Sequence, residues 1–299
     1  MLIPKPLQKG DKVAIVATAK RLESSYQEGV DLLKTWGFET IVYDSINATS
    51  GYFAGDDELR INDLQHALND ERIRAILFLR GGYGTTRVID HIDFSAFKNT
   101  PKWLIGFSDI TSILLHAVSL HIPAIHGQVA ITLGRDNQAD DSLKRILKGE
   151  ERFEFPLNTS PSTKIGHVAA PIVGGNLCMI CDSLGTPSEI ETEGCILFLE
   201  EIGEEFYAVD RMMNQLKRAG KFSEIRGLIL GDFSAITDRQ SYFESSIEEL
   251  IVSYFSDLKI PMACGLHAGH EKINYPLIFG CKTEMEVQPN SIQLRYHLK

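Results

Sequence analysis

The sequence predicts an α/β fold: an N-terminal three-layer domain built on a parallel sheet, then a smaller, β-rich α/β domain. Three observations carry this. At about 150 residues per domain, a chain of 299 residues has the length of two. Its first half alternates apolar strand-like runs with helix-like segments, as a parallel sheet covered on both faces requires. Near the C-terminus, short segments alternate apolar and polar residues, as half-buried antiparallel strands do.

Taken in order, Lys12 to Ala17 (KVAIVA) reads as a buried strand and Tyr26 to Trp36 as a helix. Phe38 to Tyr43 (FETIVY) is a second strand. Asp57 to Asn69 is a helix, with Leu59, Leu64 and Leu68 broadly on one side. Ala75 to Leu79 and Lys102 to Phe107 are further strands, and a helix follows over Asp109 to Leu120. Between Gly149 and Gly166 the pattern lapses into a charged and then Pro-, Ser- and Thr-rich stretch. This predicts a domain over 1–150, a linker over 151–168 and a second domain over 169–299. In the latter, Ile196 to Leu199 and Leu228 to Leu230 are strands, Ala208 to Arg218 a helix, and EMEVQ and SIQLRY strands.

Composition narrows the function. Forty acidic against thirty basic residues give a net charge of −10 with no basic run. That disfavours nucleic acid, whose binders neutralise phosphates with basic patches. No stretch reaches the roughly 18 apolar residues of a membrane helix, and the N-terminus reads as a first strand rather than a signal peptide. A cytoplasmic protein is expected. Five cysteines, an odd number, suit reduced thiols. Cys178-Met-Ile-Cys181 lies in an apolar helix-like stretch and reads as core packing. No H-x-x-x-H spacing exists, so no metal is expected.

Three places carry chemistry. In Trp103-Leu-Ile-Gly-Phe-Ser108-Asp109, a strand runs into a Ser and a helix begins at once. This is the setting of a nucleophile elbow, although the same Ser or Asp serves equally as a helix cap. Arg80-Gly81-Gly82-Tyr83-Gly84 follows the preceding strand, and its glycines permit close approach of backbone N–H groups to a ligand. It matches no nucleotide-binding fingerprint, so no cofactor is implied. The third place is split between Glu200-Glu201, at the end of an apolar strand, and Gly265-Leu-His267-Ala-Gly269-His270. Ser, carboxylate and His from distant segments can assemble a triad, which geometry rather than sequence order defines. His126 ends an apolar segment and reads equally as a pocket or a turn residue; His116 reads as a packed helix residue.

Over nearly its whole length the chain resembles the LD-carboxypeptidase family of serine peptidases, which includes microcin C immunity peptidases. The resemblance rests on an ordered set: Gly10-Asp-Lys-Val-Ala-Ile-Val-Ala, Tyr52-Phe-Ala-Gly55 with Arg60 and Asp63-Leu64, and Arg80-Gly-Gly-Tyr-Gly84. Ile105-Gly-Phe-Ser108-Asp, Gly174-Gly-Asn-Leu177, Phe198-Leu-Glu200-Glu, Asp210-Arg211-Met and Gly269-His270 complete it. It implies a nucleophile at Ser108, an acid at Glu200 and a base at His270, with oxyanion donors at the backbone N–H groups of Gly82 and Asp109. It also implies a site between two domains, no cofactor, a homodimer, and a cytoplasmic murein tetrapeptide as substrate, cut before its terminal D-alanine. Arg80, Tyr83 and Asn176 are the candidate readers of that substrate. The chain departs from the family at Thr18-Ala19, where a Pro-Ser pair is frequent, and at Gln128, where Pro is common. Two alternatives stay open: an immunity peptidase of the same family, and a module that binds a peptide or sugar without cleaving it.

Overall fold

The computed structural model describes residues 1–239 and 242–298. In its first half β1 (Lys12–Val16), α1 (Gln27–Thr35), β2 (Glu39–Val42), α2 (Asp57–Asn69) and β3 (Ile73–Phe78) follow one another. Then come α3 (Ser95–Asn99), β4 (Trp103–Gly106), α4 (Thr111–Ser119), β5 (Ala124–His126) and α5 (Asn137–Leu147). The five strands pair in parallel in the order β2-β1-β3-β4-β5. Val13 to Val16 and Ala75 to Phe78 are almost fully buried, so each central strand is apolar on both faces, as a sheet sandwiched by helices demands. Helix α2 starts on an Asp56 cap, whose carboxylate accepts from Leu59 N at 2.8 Å. Its other end is held by the buried Lys102, whose Nζ donates to the carbonyls of Ala67, Leu68 and Asp70 at 3.0, 2.8 and 2.8 Å. Burial lowers this ammonium to about 8.

The second half contains β6 (Arg152–Pro156), β7 (Gly166–Asn176), α6 (Leu177–Asp182), β8 (Ile196–Ile202), α7 (Phe206–Arg218) and β9 (Gly227–Ser234). It continues with α8 (Ile247–Ser253), β10 (Met262–Cys264), β11 (Leu277–Phe279), β12 (Lys282–Val287) and β13 (Ser291–Tyr296). A seven-stranded sheet runs β10-β9-β8-β7-β12-β13-β6, parallel as far as β7 and antiparallel beyond it. Among the described residues no helix is long and apolar enough to cross a membrane.

Three expectations need correction. Much of 151–168, read as linker, is sheet: β6 lies inside it, and β7 begins at Gly166. Phe153 and Phe155 point inward while Arg152, Glu154 and Pro156 face out, an alternation masked by charge and proline. Nor is the first sheet closed by its own half of the chain, because β11 pairs antiparallel with β5 at Leu277–His126 and Phe279–Ala124. Finally, α6 turns Leu177 and Ile180 inward, which leaves Cys178 exposed rather than in the core.

The carboxyl ends of the two parallel strand sets meet. The end of β7 abuts the start of α4: a Cβ on Gly175 would lie 2.5 Å from Thr111 Cγ2, and Asn176 N donates to Thr111 Oγ1 at 3.3 Å. Open α/β sheets bind ligands at these ends.

Candidate active site

Strand β4 stops at Gly106, where a Cβ would stand 2.8 Å from Ile110 Cγ2, so the chain can fold back tightly only with glycine there. Phe107 is extended, and Ser108 then adopts φ +62°, the left-handed region that costs a non-glycine residue conformational energy. A 3₁₀ turn over Ser108–Ile110 leads into α4. The capping alternative is not realised: no side chain caps this turn or α4, and the Asp109 carboxylate instead accepts from Thr85 N at 2.9 Å. The strain thus serves to present Ser108 at the end of the sheet.

The Arg80–Gly84 loop leaves the neighbouring strand, β3, at the same end. Gly81 packs on the serine; a Cβ there would lie 2.7 Å from Ser108 Cβ and 2.8 Å from its Oγ, so only glycine fits. Gly82 and Gly84 have φ of +119° and +140°. The backbone N–H groups of Gly82 and Asp109 donate to no other group among the described residues, and so are free for an anion. Several contacts clamp the loop. Fully buried Arg60 donates through Nη1 to Gly84 O at 3.0 Å and to Thr18 O, and through Nη2 to Asp57. Thr18 and Thr85 share a hydroxyl hydrogen bond of 2.9 Å. Burial raises the Asp109 carboxyl to about 6.

Strand β8 supplies the carboxylate. Its pairing with β9 slips between Leu199 and Glu201, the signature of a bulge at Glu200. Glu200, fully buried, accepts from His270 Nδ1 at 2.7 Å. The bond fixes the tautomer, with the proton on Nδ1 and Nε2 open to act as a base. Gly269 (φ +147°) lets the loop pass; a Cβ there would sit 3.0 Å from Glu200 Oε2. The His270 ring lies 4.8 Å from that of Phe107, the residue before Ser108, which brings the three candidates to one place. Ser108 Oγ and His270 are not hydrogen-bonded to one another here; such contacts are often long until substrate binds. Burial opposes protonation of His270, but the hydrogen bond and charge of Glu200, with Glu201 and Asp232 beyond it, prevail and lift it above its ordinary 6.5.

Glu201 faces the other way. It accepts from Asn176 Nδ2 at 2.8 Å, Cys178 N at 2.7 Å and Ile202 N at 2.8 Å, and ties β8 to the start of α6. Asn176, expected among the substrate readers, is therefore already engaged: its Nδ2 is on Glu201 and its Oδ1 caps α6 through Met179 N. Tyr83 remains exposed beside Phe53 and Tyr52, and Arg80 reaches Glu23 at 3.2 Å. His267 pairs with Asp232, at 3.3 Å, not with Glu200. His126 ends a strand rather than forming a turn; it is fully buried among Phe107, Phe198 and Phe279, and burial, then His270, push it down to about 3. His116 lies in α4 against Phe94 and Ser188. The sequence reading missed Asp232, on β9, whose carboxyl burial pushes up to about 6. An acidic residue two positions past the apolar run Leu228–Leu230, after Gly231, was the available signal, similar to the one that marked Glu200.

A strained serine, a glycine-rich loop with free N–H groups and a histidine held by a buried carboxylate form an arrangement of the serine-hydrolase type. The model of the LD-carboxypeptidase N-terminal domain matches residues 13–127 and that of the C-terminal domain residues 169–285. The "Probable murein peptide carboxypeptidase" of Bacillus subtilis is 33% identical over 297 residues, covering 94% of this chain and 91% of its own. The crystal structure of muramoyltetrapeptide carboxypeptidase from Oxalobacter formigenes superposes with a TM-score of 0.85 at 26% identity, covering 95% of this chain and 98% of the other. The microcin C7 self immunity protein MccF, at 20% identity and a TM-score of 0.88 over 100% of this chain and 99% of its own, shares the fold. The chain belongs to the LD-carboxypeptidase family of serine-type peptidases.

Proposed function

We propose that this protein hydrolyses the L,D amide bond that releases the terminal D-alanine of murein tetrapeptides, in the cytoplasm, as part of peptidoglycan recycling. The observation that carries the reading is the Glu200–His270 pair, 2.7 Å long with its carboxylate buried, next to the strained Ser108 turn. The murein peptide and muramoyltetrapeptide carboxypeptidases among its relatives support the substrate class.

In this mechanism Ser108 Oγ attacks the scissile carbonyl as His270 Nε2 takes its proton. The N–H groups of Gly82 and Asp109 hold the oxyanion, each donor contributing about 3 kcal/mol. Glu200 keeps the imidazole oriented and stabilises its cation. His270 then protonates the departing amine of D-alanine. Water, deprotonated by the same histidine, attacks the acyl-enzyme and frees Ser108. Family resemblance further implies a homodimer.

The direct test is mass spectrometry of murein tetrapeptide incubated with the protein. Loss of one D-alanine is expected, and a tetrapeptide ending in L-alanine should stay intact. An untouched D-alanine substrate would refute the reading.

The pH dependence follows from His270. The base must be neutral to accept a proton, so kcat/KM should fall as pH drops through a pKa above 6.5. Glu200 faces the ring, Glu201 and Asp232 act on it only through their charge, and His126 is neutral. Asp232→Asn removes one negative charge and should shift the acid limb to lower pH. An unmoved limb would show that Asp232 does not act on His270.

A further inference from the structure

A carboxypeptidase must hold a free carboxylate very near the bond it cuts. In the last residue of a peptide the carboxylate carbon lies no more than about 4 Å from the scissile carbon. Cations that read it must therefore flank the loop that takes the oxyanion. Two do. Lys20 packs against Gly82, where a Cβ would stand 2.6 Å from Lys20 Cβ. Arg80 opens the same loop, two residues before Gly82.

Both cations are turned onto a single carboxylate oxygen of this chain. Lys20 Nζ lies 2.7 Å and Arg80 Nη1 3.2 Å from Glu23 Oε2. Two positive charges share one negative one, in a chain whose net charge is −10. The Arg80 fork is only partly used: Nη1 also donates to Arg21 O at 3.3 Å, while Nε is buried without a partner. A guanidinium presents donors suited to a carboxylate, and Nη1 already donates to an acidic oxygen here. Glu23 is 44% exposed, and ion pairs in such a setting exchange readily.

We propose that Lys20 and Arg80 form the subsite for the terminal carboxylate of a peptide substrate, and that Glu23 occupies it as an internal stand-in until the substrate displaces it. The inference rests on the carboxypeptidase reading above and adds the residues that make the enzyme an exopeptidase. The ligand class is a peptide with a free C-terminal carboxylate; the corresponding amide lacks the charge both cations require.

The test compares one murein tetrapeptide as its C-terminal acid and as its C-terminal amide. The wild type should prefer the acid by a hundredfold or more in kcat/KM. Lys20→Met should cut that preference at least tenfold, through a higher KM for the acid and little change for the amide. Arg80→Lys, which keeps the charge but loses the fork, should do so more mildly. Glu23→Gln should lower the KM for the acid severalfold, a gain that general damage to the fold does not produce. Equal hydrolysis of acid and amide by the wild type, or a preference unchanged in Lys20→Met, would overturn the subsite and leave the carboxypeptidase reading intact. Hydrolysis of neither peptide would remove that reading and the subsite with it.

Discussion

Ser108→Ala is expected to abolish D-alanine release, with a loss of roughly a millionfold in kcat, because triad members act as a unit and removal of the nucleophile forfeits the acyl-enzyme route. The fold should survive, since among the described residues Ser108 Oγ holds no hydrogen bond on which the surrounding structure depends. A companion variant separates chemistry from strain. With φ at +62°, position 108 sits where a side chain costs about 1–2 kcal/mol and glycine sits freely. Ser108→Gly should thus be as inactive as Ser108→Ala yet melt at a higher temperature. Thermal unfolding and product analysis on the two proteins suffice. Residual turnover within tenfold of the wild type in either would rule out Ser108 as nucleophile.

The adjacent acids give the second large effect, and their consequences should separate cleanly. Glu200→Gln places an amide where His270 Nδ1–H needs an acceptor, which favours the wrong tautomer and leaves the imidazolium uncompensated; a loss of roughly 10⁴ in kcat is expected. Glu201→Gln should leave kcat within a few fold. Its carboxylate accepts three hydrogen bonds, from Asn176, Cys178 and Ile202, so the amide must turn a donor toward a donor, at a stability cost of about 1–3 kcal/mol. Steady-state kinetics beside melting curves distinguish the two outcomes. The reverse ranking, with Glu201→Gln inactive and Glu200→Gln active, would reassign the acid.

How much of this could be read from the chain depended on how far each signal extends along it. β1, β3 and β4 are apolar on both faces and long enough to stand out, and the step from β4 through Ser108 into a helix was visible because three signals fall within a few residues. β5 and β11 have three residues each, too few for any periodicity, so His126 could not be told from a turn residue. β6 was hidden by charged outward positions around Phe153 and Phe155. Opposed orientations for Glu200 and Glu201 are what strand alternation predicts, and they persist through the bulge. The His267–Asp232 pair and the use of Arg60 as a clamp could not be read this way, since both depend on contacts between residues 24 to 42 positions apart.

The pairing of β11 with β5 bears on biosynthesis. The sheet that presents Ser108 stays one strand short until residues 277–279 have been made, about 150 residues after its other members. His270 lies a few residues upstream of that strand. The step that completes the sheet of the proposed nucleophile therefore also draws the proposed base into position. Such long-range closure slows folding, because a large loop must be ordered before the contact rewards it. On the proposed mechanism, a nascent chain that displays a finished serine turn remains without peptidase activity until nearly all of its second half has emerged.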